Sequence, residues 1–153
     1  MKTSLRNIAL LLITYFLTGC NALSFLDAPV PLKEVRIISS DGANSGFPIP
    51  VDVIIVKNED LIAVITEMDS ATWFSQKAAF LPSNAGQIDV VSYEVISGNI
   101  EDPITFSWAE RKEAKAIFVI ARYIEYGIHK VRVDQLGDPV VKLSIRDIET
   151  NVD

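Results

Sequence analysis

Residues 116–121 read Ala-Ile-Phe-Val-Ile-Ala, a run without a polar side chain between Lys115 and Arg122. Four of its six residues are β-branched or aromatic, and six residues is an ordinary strand length. Residues 51–56 read Val-Asp-Val-Ile-Ile-Val and have the same character apart from one acid. We therefore predict two buried strands here, with the strand over residues 115–123 at the centre of a sheet.

Stretches with alternating polar and apolar residues flank these two runs along the chain. Residues 129–135, for example, alternate Val131 and Val133 with charged neighbours. Glycine, proline, asparagine and aspartate separate the stretches, as expected for turns between strands. The predicted strands are 33–39, 50–57, 87–96, 104–108, 115–123, 129–135 and 140–148.

One region, about residues 58–81, has helical rather than strand periodicity. Asn58 is the predicted cap of a helix over residues 59–68, and Ser70 is the predicted cap of a second helix over residues 70–81. The pair Trp73-Phe74 on the second helix is predicted to be core, and an exposed docking patch is the alternative. The prediction is a mainly β protein, an antiparallel β-sandwich of seven or eight strands with a short helical insertion, in which each sheet buries one face.

The N-terminus has the pattern of an exported lipoprotein. Two basic residues, Lys2 and Arg6, precede the apolar run 8–17, which is too short to span a bilayer. Leu17-Thr18-Gly19-Cys20 follows and resembles the bacterial lipobox, whose cysteine receives a diacylglycerol. We predict a signal peptide over 1–19, lipidation at Cys20, a tether over 20–32 and one domain over 33–150. An ordinary signal peptide with a chance cysteine is the alternative.

Composition excludes several classes of function for this chain of 153 residues. The net charge is −6 and becomes −8 without Lys2 and Arg6, which argues against nucleic-acid binding. One cysteine and one histidine exclude a disulfide scaffold and leave no material for a zinc site or a Cys-His pair. His129 is predicted to be an exposed or edge histidine, with a general base as the alternative. We predict no enzyme, no cofactor and no metal.

Three stretches resemble the TssJ family, the outer-membrane lipoproteins of the type VI secretion system. Residues 45–53 (Ser-Gly-Phe-Pro-Ile-Pro-Val-Asp-Val) resemble the family's Pro-Val entry into the second strand. Residues 95–98 (Val-Ile-Ser-Gly) resemble its Pro-Gly turn, with serine in place of proline. Residues 116–123 resemble its apolar strand that ends in Ala-x-Tyr. The resemblance covers residues 33–148.

This resemblance implies a transthyretin-like sandwich with an added helical element, which docks the periplasmic domain of the inner-membrane component TssM. It assigns the contact to the long polar loop between the first two strands. The implied partner-binding residues are Ser40, Asp41, Asn44, Phe47 and Ile49. Acyl chains on Cys20 would hold the protein in the bilayer, and Asn21 after the cysteine favours the periplasmic face of the outer membrane. The alternative is a periplasmic ligand-binding or envelope-assembly lipoprotein unrelated to secretion.

Overall fold

The computed structural model describes residues 28–151, so the predicted signal peptide, Cys20 and tether residues 20–27 lie outside the described residues. Within this range eight strands, three α-helices and one short 3-10 helix form. They follow the chain in the order β1 (Glu34–Ser39), the 3-10 helix (Ala43–Gly46), β2 (Ile49–Val56), α1 (Asp60–Glu67), α2 (Ser70–Ser83), β3 (Ile88–Val95), β4 (Ile104–Thr105), α3 (Trp108–Glu113), β5 (Ala116–Ala121), β6 (Lys130–Arg132), β7 (Val140–Leu143) and β8 (Ile148–Asn151).

The strands form two four-stranded sheets, which confirms the predicted β-sandwich. One sheet has the order β3-β2-β5-β6 and is antiparallel throughout. The other has the order β4-β1-β7-β8, and its β1/β7 pair is parallel. The two runs that decided the prediction, β2 and β5, are the central neighbours of the first sheet.

The two central strands of the first sheet, β2 and β5, are buried on both faces, so the expectation that each sheet buries one face is wrong for them. Every residue of β5 is buried. Ile117 and Val119 face the other sheet in the main core, whereas Phe118 and Ile120 face α1 and α2 in a second core. An uninterrupted apolar run is what a strand needs when adjacent side chains point into two separate cores.

A buried polar network fastens α2 to this sheet. Asp52 of β2 is 1% exposed and accepts hydrogen bonds from Trp73 Nε1 at 2.7 Å and Ser92 Oγ at 2.7 Å. Lys77 Nζ lies 2.9 Å from the same carboxylate. Because a buried carboxylate is costly without partners, this network explains why an acid interrupts the apolar run of β2. Trp73 is fully buried, which confirms it as core, and Phe74 is half-buried against the same cluster.

The helical insertion is confirmed, but both predicted caps are wrong by one residue. Glu59, not Asn58, is the N-cap residue of α1, although Asn58 Oδ1 accepts the N–H of Asp60 at 3.0 Å. Asp69, not Ser70, caps α2, and its side chain accepts the N–H of Thr72 at 2.7 Å. Ser70 is the first helical residue, and its buried hydroxyl donates to the carbonyl of Ala121 at 2.7 Å. Both residue types favour helix starts, so the sequence pattern alone did not separate these neighbours.

Two further predictions are wrong in detail. Residues 140–148 form two strands rather than one, because a turn at 144–147 folds β8 back onto β7. The strand predicted over 104–108 stops at Thr105, and Trp108 begins α3. Ser107 and Glu110 form a reciprocal capping box there, a Ser-x-x-Glu signal that is present in the sequence.

The strand directions give the sandwich two distinct poles. At the loop pole lie the connections 40–48, 96–99, 122–129 and 144–147. At the opposite tether pole lie residues 28–33, α3 and the connection 133–139. Val30 N–H donates to Arg111 O at 3.0 Å, and the N–H groups of Lys33 and Glu34 donate to Asp138. The segment that leads toward Cys20 therefore joins the domain at the pole away from the four connections.

Candidate partner-binding surface

The loop pole carries most of the exposed apolar surface of the described residues. Ten large hydrophobic side chains are exposed in residues 28–151, and six of them lie on the four connections of the loop pole. Tyr126 is the most exposed at 83%. Single exposed apolar residues are ordinary, but their concentration at one end of a domain marks an interaction surface. The six are Phe47, Ile96, Ile124, Tyr126, Ile128 and Ile145.

Asn44 ties three of these connections together. It is 5% exposed and has a positive φ of 49°, which asparagine tolerates better than most residues. Its Oδ1 accepts the N–H of Ile124 at 2.7 Å, and its Nδ2 donates to the carbonyl of Pro48 at 3.2 Å. Its own N–H donates to the carbonyl of Ile145 at 3.1 Å. The loop pole is thus a cross-linked surface rather than four independent loops.

The five residues implied as partner contacts occupy different environments. Asp41 is exposed and Phe47 is 59% exposed, whereas Ser40 is half-buried. Asn44 is buried in its hydrogen-bond network, and Ile49 is fully buried in the main core. Partner contact stays a prediction, and the accessible side chains that can make it are those of Asp41 and Phe47.

His129 and Tyr123 connect the 122–129 and 144–147 connections. His129 is 6% exposed and directly precedes the edge strand β6, so the predicted exposed or edge histidine is at the sheet edge but buried. Its Nδ1 lies 3.0 Å from Asp147 Oδ1, its Nε2 lies 3.0 Å from the carbonyl of Glu125, and its ring lies 4.6 Å from that of Tyr123. Burial, with the nearby Asp147 carboxylate, raises the pKa of Tyr123.

Both ring nitrogens of His129 are therefore taken up by protein oxygens. The Tyr123 hydroxyl reaches the carbonyls of Ser144 and Asp147 at 3.0 and 2.9 Å. Gly127 packs so closely on the imidazole that a Cβ at this position would overlap the ring. The arrangement holds two connections in register.

A further contact fastens the 122–129 connection to the start of α2. The Tyr126 hydroxyl donates to Asp69 Oδ2 at 2.6 Å. This hydrogen bond, followed by that from the N–H of Thr72, lowers the pKa of Asp69 to about 2. The same contact raises the pKa of Tyr126. The cap of α2 thus also positions the most exposed aromatic ring of the loop pole.

Three depressions lie on the loop pole. One, of about 590 Å³, is bordered by Asp41 and Ile145. A second, of about 400 Å³, is bordered by Phe47, Pro48, Pro50 and Ile124, so the β1–β2 and β5–β6 connections share it. The third, of about 520 Å³, lies between α2 and the 122–129 connection. Its lining mixes polar and apolar groups and includes Ser70, Thr72, Arg122, Ile124, Tyr126 and His129. Apolar side chains beside polar groups can receive a partner protein's side chains.

Other classes of site were sought in the same residues. Between residues 28 and 151, no group of three or more histidine, cysteine or acidic residues is placed to hold a metal ion. No helix in that part of the chain is long and apolar enough to cross a membrane.

Comparison with known proteins gives matches by structure but no match by sequence. No protein-family model matches the chain, and no curated protein matches it. The T6SS lipoprotein TssJ1 from Pseudomonas aeruginosa superposes with a TM-score of 0.59 at 11% identity, over 82% of this chain and 97% of that one. The fold is that of the TssJ lipoproteins.

Two other solved structures extend this TssJ-like likeness. Serratia marcescens Lip, a membrane-bound component of the type VI secretion system, gives a TM-score of 0.57 at 10% identity, over 79% of this chain and 96% of that one. The T6SS protein TssM C-terminal domain from EAEC gives 0.51 at 15% identity, over 78% of this chain and 99% of that one. The TssJ-like sandwich therefore also resembles a structure from TssM.

Sequence reasoning missed the 122–129 connection as part of this surface. Residues 124–128 read Ile-Glu-Tyr-Gly-Ile, and the sequence indicated only a turn there. Three large apolar side chains in a turn that already contains glycine were the available signal, because a turn does not need them.

Proposed function

We propose that this protein is a lipid-anchored docking subunit of a type VI secretion membrane complex. Acyl chains on Cys20 hold it at the periplasmic face of the outer membrane. Its loop pole binds the periplasmic domain of a TssM-like inner-membrane component. The observation that carries the proposal is the position of the exposed apolar connections, at the pole opposite the segment that leads to Cys20.

The TssJ-like fold and the lipobox support this proposal independently of each other. The fold is shared with two T6SS lipoproteins, whereas the lipobox is a sequence pattern at residues 17–20, outside the described residues 28–151. The lipobox also bears on whether the chain is the anchored lipoprotein of such a complex or the TssM-like component that the lipoprotein binds. Because the fold resembles a TssM structure as well, the sequence of the N-terminus is what favours the anchored component over its partner.

The arrangement of the poles supports a docking role at a distance from the outer membrane. Residues 28–33 are fixed to α3 and to Asp138 at the tether pole. The strands then carry the loop pole to the far end of the sandwich. A partner that spans the periplasm from the inner membrane would meet that end first.

We propose further that the protein has no catalytic role. The single histidine of the chain is used to join two connections, since Asp147 and Glu125 occupy both of its ring nitrogens. The alternative function, a periplasmic ligand-binding lipoprotein, would use the 520 Å³ depression beside α2, whose volume lies in the range of small-molecule sites. The exposed apolar side chains concentrated on the connections around it favour a protein partner over a small ligand.

The first experiment replaces the anchor cysteine. Cys20→Ser should move the protein from the membrane fraction to the soluble periplasm and abolish secretion, while leaving the domain folded. Circular dichroism of the variant controls for folding. Secretion at the normal level by a soluble variant would contradict an anchoring role.

The second experiment identifies the partner directly. The lipidated protein is isolated from native membranes under mild detergent, and co-purified proteins are identified by mass spectrometry. Recovery of a large inner-membrane protein with a periplasmic domain supports docking. Recovery of a bound small molecule or of periplasmic enzymes alone favours the alternative function.

A further inference from the structure

α3, at the tether pole, presents an exposed aromatic side chain that the docking role does not use. Trp108 is 59% exposed. It stands apart from the six exposed residues of the loop pole, because α3 lies beside the start of β1 and the end of β2. Lys112 Nζ lies 5.0 Å from the centre of its ring, which places a positive charge next to the indole.

α3 is held firmly despite its length of six residues. The Ser107–Glu110 capping box fixes its start, and Ala114 at its end is buried in the main core. Arg111 accepts the N–H of Val30 at 3.0 Å through its carbonyl and donates from Nη1 to the carbonyl of Val30 at 3.2 Å. The segment toward the N-terminus is therefore joined to the helix that carries Trp108.

The chain length between this helix and Cys20 limits their separation. Cys20 lies eight residues before Ala28. Even a fully extended segment of that length spans at most about 29 Å. Acyl chains on Cys20 would thus keep the tether pole close to the bilayer surface. An indole with a neighbouring cation is well suited to the headgroup layer, where its ring is partly dehydrated and its polar edge stays wet.

We infer that Trp108 and Lys112 rest in the lipid headgroup layer of the membrane that carries the acyl chains. This second contact, which rests on the proposed lipidation of Cys20, makes the tether pole face the bilayer and turns the loop pole toward the periplasm. The contact orients the domain, whereas the acyl chains supply the anchoring free energy.

Tryptophan fluorescence tests this orientation, because the chain has only two tryptophans and Trp73 is fully buried. The lipidated full chain is reconstituted in phosphatidylethanolamine/phosphatidylglycerol vesicles with brominated acyl chains, and flotation establishes that it is bound. We expect the wild-type emission to fall relative to unbrominated vesicles. Trp108→Phe should remove that decrease, since the remaining Trp73 is shielded within the second core.

A matched probe at the other pole completes the test. Trp108→Phe combined with Phe47→Trp places the exposed indole at the loop pole, and we expect its emission to be unaffected by bromine. Flotation without quenching of Trp108, or equal quenching of the indole at residue 47, would overturn the inference while leaving the anchor intact. Failure of the wild type to float would instead contradict lipidation and remove the basis of the inference.

Discussion

The two poles of this sandwich differ in what holds them together and in what they expose. At the tether pole, backbone groups of residues 30–34 bond to Arg111 and Asp138, and Trp108 is the one exposed large hydrophobic side chain on the described segments that define that pole. At the loop pole, buried side chains such as Asn44 and His129 join separate connections, and six large apolar side chains are exposed.

This difference shows how a small β domain can present an apolar surface without losing order. Exposed apolar loops would be mobile if each were held only by its own strands. Here the buried polar side chains beneath them carry cross-links between connections, so the exposed residues above are held in place. A preordered surface loses less conformational entropy when a partner binds.

The largest expected effect comes from removing the side chain of Asn44, which joins the 40–48 and 122–129 connections. Asn44→Ala leaves the N–H of Ile124 without its acceptor and places alanine at a positive φ. We expect a loss of about 2 to 4 kcal/mol in the free energy of unfolding, measured by urea denaturation. Asn44→Gly relieves the backbone strain but still lacks the side-chain hydrogen bonds, so it should lose less stability than Asn44→Ala. Equal stability of Asn44→Ala and the wild type would mean that the connections are independent.

The next largest expected effect on stability comes from substituting a glycine at the loop pole, with a glycine at the tether pole as the matched control. In Gly127→Ala the new Cβ overlaps the His129 ring, so the imidazole must move away from Asp147. We expect a loss of about 1 to 3 kcal/mol. Gly137→Ala at the tether pole meets no atom within 4 Å and should change stability little. Thermal unfolding of both variants measures the difference, and a Gly137→Ala variant as unstable as Gly127→Ala would argue against a specific fit.

The sandwich could be predicted because the apolar, β-branched residues of its two central strands are themselves typical of buried strands. Residues 51–56 and 116–121 are too apolar for anything but a buried strand, and the turn residues around the others mark most of their ends. The sequence did not predict the second core, because a run of apolar residues does not say what covers each face. It missed the turn at 144–147, because alternation continues across it in residues 140–148.

The candidate surface was predictable only in part, for a similar reason. A long polar loop with Phe47 suggested partner binding, and the loop does lie at the exposed pole. Which of its side chains are accessible depends on contacts from distant segments. Asn44 is buried because Ile124 and Ile145, 80 and 101 positions away, bond to it. Local sequence contains no signal for such long-range pairs.

The smallest expected effect is the pH dependence of the contact between Asp69 and Tyr126. The pKa of Asp69 is about 2 in the folded protein, compared with 3.8 for an aspartate without these hydrogen-bond partners. A carboxyl group whose pKa is lower in the folded than in the unfolded protein stabilises the fold. This contribution is fully present above the pKa of the unfolded state and is lost as the pH falls through the pKa of the folded state. The contact should therefore persist at pH 4 and disappear toward pH 2, as measured by NMR titration of the Asp69 carboxyl carbon. Asp69→Asn keeps the helix cap and should abolish this transition; titration of Asp69 near 4 would show that the hydrogen bond is absent in solution.

The affinity of loop-pole variants for the periplasmic domain of the proposed TssM-like partner tests the central claim most directly. Phe47→Ser and Ile124→Ser alter exposed side chains that border the same depression, whereas Val64→Ser alters an exposed side chain on α1. By isothermal titration calorimetry, each loop-pole variant should bind at least about tenfold more weakly, a loss of about 1.4 kcal/mol. Val64→Ser should bind like the wild type. Unchanged affinity in both loop-pole variants, or an equal loss in Val64→Ser, would contradict the assignment of the docking surface to the loop pole.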